Sequence, residues 1–147
     1  MSNTIVMNTL TGAVTEYDWA FQSIAPCHAG DATGLYALGG STDAGRPIVA
    51  TVTTGTKHWG STLKKFVAAV YFAMRGTGTG KLTVHCPTAD MSFSYLFPVR
   101  PSGVSRAVTG RGIRENYLAF TFQNPDGDDF ALDRIEVLSY PSTTRRI

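Results

Sequence analysis

Hydrophobic and polar residues alternate along much of this chain, in stretches that are short. The clearest is segment 91–97 (MSFSYLF), where the odd-numbered positions are apolar and two of the three others are serine. A period of two predicts a β-strand with one buried face. Gly, Pro, Asn and Asp interrupt such stretches about every 8 to 12 residues, which is typical of an all-β sandwich or jelly roll.

The same reasoning predicts strands on both sides of segment 91–97. They cover residues 4–7, 13–17, 34–38, 47–54, 81–86 and 104–108. Segment 63–74 is ambiguous because its apolar residues recur at helical spacing, yet its Val and aromatic residues prefer strands. We interpret it as a strand from about Lys65 to Arg75. The glycine-rich segment 76–80 then predicts a hairpin turn, with Lys81 to Cys86 as the returning strand.

A second hairpin is predicted near the C-terminus. Segment 117–122 (YLAFTF) has the aromatic content of a buried strand, and segment 130–137 supplies apolar residues for a partner. Between them lies Asn124-Pro125-Asp126-Gly127, where proline presets one turn angle and glycine accepts a positive φ. We expect this pair to be the spine of the domain, with Phe120 on a central strand.

These elements predict an all-β fold, an antiparallel, jelly-roll-like β-sandwich. Parallel pairs need crossover connections, and we identify none. We see no linker, so residues 1–147 are expected to form a single domain. Within it, a meander of short strands covers about 1–45 and the sandwich core covers about 46–140.

Composition narrows the choice of partners. The 147 residues are enough for a buried core, and charged residues make up 16% of them with a formal net charge of +2. That charge is too small, and too scattered, to predict nucleic-acid binding. No apolar run approaches the roughly 18 residues of a membrane span, and no signal peptide is visible. We therefore expect no membrane partner, and both Cys27 and Cys86 as free thiols in a reducing cytosol.

Segment 75–83 resembles a phosphate-binding loop only superficially. The motif requires Ser or Thr directly after Gly-Lys, and here Leu82 follows Gly80-Lys81. Arg75 occupies the position of the first glycine, and no helix is predicted to follow. The hairpin turn is the better interpretation, so no nucleotide or other cofactor is expected.

Two groups of residues suggest metal ligands, and neither has suitable spacing. Cys27-His28 and His85-Cys86 supply zinc-type ligands, but adjacent strand residues point to opposite faces, so buried cysteines beside exposed histidines are expected. The segment Asp126 to Asp129 lacks the ligand spacing of an EF-hand, although a calcium ion there stays an open possibility. No metal site is predicted.

No arrangement of residues predicts catalysis, and we expect a non-enzymatic protein. Ser, His and Asp residues lack the local context of a nucleophile motif. Glu115 and Glu136 are candidate paired carboxylates, but the sequence does not bring them together. The large aromatic residues are more typical of a core or an interface than of sugar stacking; they are Trp19, Tyr36, Trp59 and Tyr71.

Several segments resemble a family of tailed-bacteriophage virion proteins. In order they are residues 11–17 (TGAVTEY), 33–38 (TGLYAL), 42–48 (TDAGRPI), 54–55 (TG), 59–61 (WGS), 63–65 (LKK), 110–113 (GRGI), 117–122 (YLAFTF) and 124–133 (NPDGDDFALD). The resemblance extends from about Thr11 to Val137. It implies a structural component of the virion, made in the host cytoplasm, in the tail or head–tail region.

The resemblance also implies partners, namely other virion proteins and further copies of the same chain. Subunits of an assembly are stabilised by repeated interfaces, which large amphipathic side chains often anchor. Expected interface anchors are Tyr17, Trp19, Trp59 and Tyr140, with Arg111 and Arg114 as partners for carboxylates of a neighbour. Two alternatives stay open: a carbohydrate- or receptor-binding module that uses residues such as Trp59, and a capsid decoration protein.

Overall fold

The computed structural model describes residues 4–17, 19–43 and 45–142, and only the backbone of Tyr17. Every strand pair in it is antiparallel. Within these residues, the single helix is one 3₁₀ turn at Pro87–Ala89. The predicted all-β, sandwich-like fold is therefore confirmed. The chain divides into two compact units, an N-terminal unit up to Gly40 and a body from Ser41 onward.

The N-terminal unit contains a hairpin and a small sheet. The hairpin pairs β1 (Thr4–Met7) with β2 (Val14–Tyr17), and the sheet consists of β3 (Ser23–Ala25), β4 (His28–Gly30) and β5 (Leu35–Ala37). The side-chain oxygen of Asn8 accepts hydrogen bonds from the backbone N–H groups of Leu10 and Thr11, which fixes the turn after β1. The strands predicted over 4–7, 13–17 and 34–38 are confirmed to within one residue at each end.

The described residues of the body form ten strands. They are β6 (Thr42–Asp43), β7 (Arg46–Pro47), β8 (Thr51–Thr53), β9 (Lys65–Gly76), β10 (Thr79–Cys86), β11 (Met91–Pro98), β12 (Val104–Val108), β13 (Arg114–Glu115), β14 (Ala119–Gln123) and β15 (Phe130–Pro141). One sheet, the β10 sheet, has the order β11-β10-β14-β8. In the other, the β9 sheet, β15 pairs with one side of β9, and β12 and β13 pair with the other.

The two sheets pack face to face around a core of phenylalanines. The rings of Phe72 and Phe97 stack at 5.0 Å, so a residue of the β9 sheet contacts one of the β10 sheet. Phe122 lies 5.4 Å from Phe72 and meets Phe130 edge-on at 4.8 Å. Each such side chain contributes roughly 1.5–3 kcal/mol on burial. This aromatic cluster therefore holds the sandwich together.

β9 confirms the strand predicted over 65–75 and shows why the sequence also resembled a helix. Val67 faces the core, but so do Val70 and Phe72, so the buried positions change from odd to even. The change coincides with an irregularity in the register opposite Leu138 and Ser139. A β-bulge inserts one extra residue, and it turns a spacing of two into a spacing of three. That spacing imitates helical periodicity.

The predicted hairpin of 117–122 with 130–137 is wrong. β14 belongs to the β10 sheet and β15 to the β9 sheet, so the segment between them crosses from one layer to the other. The buried side chain of Asn124 directs this crossing. Its oxygen accepts a hydrogen bond from the N–H of Ala50, and its amide donates to the carbonyls of Ile48 and Asp128. The turn itself is present, since Gly127 N–H donates to the Asn124 carbonyl.

The hairpin predicted at 76–80 is wrong for the same reason. β9 and β10 lie in different sheets, and β10 forms its hairpin with β11 instead. Glycine is required here for two separate purposes. Gly78 has φ +76°, and a Cβ on Gly80 would lie 2.6 Å from the ring of Phe97. The strands predicted over 81–86, 91–97 and 104–108 are confirmed.

The strand predicted over 47–54 is wrong for half of its length and is divided between two sheets. Only Thr51–Thr53 joins the β10 sheet, while Arg46–Pro47 pairs with Thr42–Asp43. The residues between them are held by a side chain rather than by a strand. The side-chain amide of Asn124 donates a hydrogen bond to the Ile48 carbonyl and accepts one from the Ala50 N–H. An alternating pattern does not reveal such a competitor for backbone hydrogen bonds.

Candidate assembly surface

The β9 sheet has a second face, which points away from the sandwich core and which we call the outer face. Residues directly opposite each other in antiparallel strands project to the same side. Phe66 of β9 is opposite Arg114 of β13 on one side and Tyr140 of β15 on the other. The register therefore brings together two of the residues expected at an interface.

The next row of the outer face is entirely apolar. Ala69 is opposite Val108 of β12 and Leu138 of β15. Ala69 has no exposed surface even though it lies on the outer face, since its neighbours cover it. Val108 itself is 58% exposed. With Phe66 and Tyr140, these residues form an apolar strip across three strands.

Arginines border this strip. Arg106 lies on β12 opposite Tyr71, with its guanidinium carbon 5.7 Å from the centre of the tyrosine ring. On β15, Arg134 pairs with Glu136 at 2.9 Å, and both side chains are exposed. An exposed ion pair contributes little to stability. Together with Arg114, three arginines and one glutamate border the strip, so the outer face is basic as well as apolar.

The buried Lys65 ammonium holds β13 against β9 through a hydrogen bond to Asn116, the residue that follows β13, and so positions Arg114. Glu115 is opposite Lys65, and both side chains are buried. The Lys65 ammonium donates hydrogen bonds of 2.7 Å to the carbonyls of Ser61 and Asn116. Burial lowers the pKa of Lys65, and the Glu115 carboxylate opposes that change. Our sequence reasoning missed this buried lysine. The sequence did contain a sign of it: Lys65 is two residues before Val67 in a predicted strand, so both side chains point to the same, inward face.

Trp59 is anchored to the sandwich. It has φ +42°, its indole N–H donates to the Leu118 carbonyl at 2.9 Å, and its ring meets Phe120 edge-on at 5.2 Å. The Lys57 ammonium lies 6.0 Å from the ring centre. The half-buried ring borders a shallow cleft of about 500 Å³ together with Thr56, Lys57, His58, Gly60 and Tyr117. Trp59 is thus part of the packing at the edge of the core.

The other expected interface residues do not join the outer-face strip. Trp19 lies in the N-terminal unit, where its ring is 5.2 Å from that of Phe21. Arg111 is exposed in the loop between β12 and β13. The side chain of Tyr17 lies outside the described residues. For the last of the six residues, Tyr140, the structure gives an exposed ring on the outer face.

The outward face of the β10 sheet has the opposite character. Thr53, Thr121, Thr83 and Ser94 follow one another across its four strands. Thr53 and Thr121 share a hydrogen bond of 2.9 Å, and Thr83 and Ser94 share one of 3.0 Å. His85 links the hydroxyls of Ser92 and Thr121. The hydroxyl groups named here therefore bond to one another or to His85 within this face. The alternating serines of segment 91–97 indicated a polar side on that strand, but we did not predict a polar face that extends across four strands.

The cysteines differ from the expected arrangement at one position. Both are free thiols, as predicted. Cys86 is buried beside the outward-facing His85, and burial raises the pKa of its thiol. The prediction of a buried Cys27 is wrong: the residue is exposed, and Ala29 is the one buried residue among those described in the N-terminal unit.

Within the described parts of the chain, no three His, Cys, Asp or Glu side chains are close enough to hold a metal ion. Over the same residues, no helix has the length and apolar character needed to cross a bilayer. Comparison of the chain with family models, curated proteins and solved structures gives no match.

Proposed function

We propose that this chain is a non-enzymatic structural protein of a phage virion, a multimeric building block of the tail or head–tail region. The observation that carries the proposal is the large amount of exposed apolar surface in the N-terminal unit. Ala29 is the one buried residue among the described residues of that unit. Leu10 is 94% exposed and Ile5 is 69% exposed. Ile5, Met7 and Val14 share one face of the β1–β2 hairpin, and contiguous apolar surface of this kind is typical of sites that another protein covers.

The outer face of the β9 sheet supports the same proposal. Its apolar strip with arginines at the border has the composition of protein interfaces, which are enriched in aromatic residues and arginine. The resemblance to virion proteins gives the setting, with other virion proteins and copies of the chain as partners. In this proposal the body is a rigid scaffold, and its buried Lys65 and Cys86 serve the fold rather than a reaction.

Two measurements test the proposal together. Light scattering of the purified protein over a range of concentrations is expected to show a defined oligomer. Immunogold electron microscopy of virions, with an antibody against this chain, is expected to label the tail or the head–tail junction. Label spread over the capsid would instead indicate a decoration protein. A monomer at every concentration, with no label on particles, would contradict the assembly role.

The cleft beside Trp59 favours a second candidate function, binding of a carbohydrate. The exposed ring of Tyr117 lies there beside His58 and Thr56, and sugar rings stack on aromatic faces next to polar groups. A glycan array followed by titration of Tyr117→Ala tests this candidate. Binding that Tyr117→Ala abolishes would support it, whereas an array without binding removes it.

A further inference from the structure

The first hairpin of the N-terminal unit has one face that is suited to docking. Ile5 is opposite Glu16, and Met7 is opposite Val14, so these four side chains share a face. Its three apolar members are all exposed. A two-stranded hairpin is marginally stable in water by itself, and it gains stability when an apolar face is covered. We call this surface the hairpin face.

Charge is distributed unequally between the two units. The first 40 residues contain Glu16, Asp18 and Asp31 but no Lys or Arg, which gives a formal charge of −3. All 13 Lys and Arg residues and the other 8 acidic residues lie from position 41 onward, which gives +5. The two values add to the net +2 of the chain. One unit is therefore acidic and apolar, and the other is basic.

The outer face of the β9 sheet complements the hairpin face in both respects. It presents an apolar strip around Phe66 and Val108, bordered by Arg106, by Arg114 and by the Arg134–Glu136 ion pair, so that arginines outnumber the one carboxylate. The hairpin face presents an apolar group with a carboxylate at its edge. Opposite charges around an apolar centre favour specific encounter and fix the orientation of docking. The chain thus carries two complementary surfaces.

We propose that the hairpin face of one copy of this chain docks on the outer face of a second copy. The proposal rests on the proposed function, since it supplies the contact by which the building block multiplies. A contact between two different surfaces repeats from subunit to subunit into a closed ring or an open filament, or pairs reciprocally in a dimer. The hairpin has two strands of four residues each, whereas a standard interface involves roughly 20–30 residues of each partner. Several repeated contacts are therefore needed for a stable assembly.

Charged substitutions on the two surfaces test the docking. Ile5→Asp and Val108→Asp are each expected to weaken association at least tenfold in sedimentation or light scattering. Val6→Asp is the matched control for the first, because Val6 is the adjacent residue on the other face of the hairpin. Leu96→Asp is the control for the second, because Leu96 is 70% exposed on the outward face of the β10 sheet. Controls that stay within threefold of the unmodified chain support the proposal.

Disulfide trapping identifies the occupant directly. One chain carries Met7→Cys and another carries Val108→Cys, both with Cys27→Ser, and the two are mixed under mild oxidation. A disulfide between the two different chains is expected. A chain with both cysteines that closes on itself at high dilution would show that its own hairpin is the occupant, which overturns the proposal. Absence of any trapped product between chains that do associate overturns it as well.

The outcomes distinguish this inference from the proposed function. If the unmodified chain forms oligomers and labels particles, but Ile5→Asp and Val108→Asp associate normally, the docking is wrong and the assembly role stands. If the unmodified chain never associates and is absent from particles, the assembly role itself is wrong. Thermal melts of each variant show whether the body stays folded, which is expected because every substituted residue is exposed.

Discussion

The body and the N-terminal unit consist of the same kind of antiparallel strands, but they bury very different amounts of apolar surface. In the body, Phe72, Phe120 and Phe122 have no exposed surface, and two sheets close around them. In the N-terminal unit, Ala29 is the one buried residue among those that the structure describes. Its aromatic residues form a small half-open group in which Phe21 lies 5.2 Å from Trp19 and 5.9 Å from Tyr36.

The comparison shows that the interactions that give a segment its strand conformation differ from those that stabilise the folded sheet. In the N-terminal unit, local hydrogen bonds define the turns. Asn8 binds two backbone N–H groups after β1, and Asp31 binds those of Thr33 and Gly34 before β5. Such bonds select a conformation but contribute little net free energy. The body adds a second layer, and burial between the layers supplies most of the stability. In our proposal, a partner supplies such a layer to the N-terminal unit.

The largest expected effect comes from removing a phenylalanine in the body. Phe120→Ala deletes a fully buried ring that packs against Trp59, and we expect the free energy of unfolding to fall by about 3–5 kcal/mol. Urea denaturation followed by tryptophan fluorescence measures this change. Phe21→Ala is the matched control in the N-terminal unit, and there we expect a loss below about 1 kcal/mol. Equal losses in the two variants would contradict the comparison.

Two asparagines give the same comparison for hydrogen bonds. Asn124 is buried and bonds to three backbone groups, so Asn124→Ala leaves buried groups without partners. Each such group costs roughly 1–3 kcal/mol, and we expect a destabilisation of at least 2 kcal/mol. Asn8 is exposed, and water replaces its two bonds in Asn8→Ala, for which we expect about 0.5 kcal/mol. Thermal denaturation of Asn124→Ala and Asn8→Ala measures the two losses of stability. A larger effect at Asn8 would refute our account of the inter-sheet crossing.

The crossing at Asn124 also shows what could be predicted from the sequence. The turn 124–127 and the strands on both sides of it were predictable, because proline, glycine and alternating apolar residues act locally. The pairing of those strands was not. Whether β15 joins β14 or β9 depends on buried contacts between residues far apart in the chain, and turn chemistry alone does not distinguish a hairpin from a connection between sheets.

The candidate surface was predictable only in part. Arg114 and Tyr140 were selected as large or charged residues, but their position on each side of Phe66 follows from the register of β13 and β15 with β9. That register depends on the bulges in the β9–β15 pair. A one-residue change of register would turn each side chain to the other face of the sheet. Composition identified candidate residues, whereas the bulges determine which of them share a face.

The two cysteines are expected to differ in reactivity. A thiol reagent should modify the exposed Cys27 rapidly in the native protein, and Cys86 only when the body opens, because burial shields it and raises its pKa. Stopped-flow labelling should count one fast thiol in water and two in denaturant. Cys27→Ser should abolish the fast phase. Two fast thiols in the native protein would show that the core around Cys86 is open.

The raised pKa of Cys86 also predicts the sign of a pH effect. Above its ordinary pKa of 9.0 the unfolded thiol loses its proton while the native one keeps it. The unfolded state then binds fewer protons, so this residue lowers the free energy of unfolding as pH rises past 9.0, by at most about 1.4 kcal/mol per pH unit. Lys65 has the opposite effect, because its pKa is lowered in the native state. Just below pH 10.5 the unfolded lysine keeps a proton that the native one loses, so this residue raises the free energy of unfolding as pH rises. We therefore expect the free energy of unfolding to fall less steeply with rising pH in Cys86→Ala than in the unmodified protein. Urea titrations between pH 8 and 10 measure this difference.

The smallest expected effect is at Leu35, and it tests the comparison most directly. Leu35 is 75% exposed on β5, so Leu35→Ser removes little buried surface from the single chain. We expect the free energy of unfolding, measured on dilute monomer, to change by less than about 0.5 kcal/mol. A loss above 2 kcal/mol would mean that the N-terminal unit possesses a core of its own. In that case its apolar residues would stabilise the single chain, and a partner would not be needed to cover them.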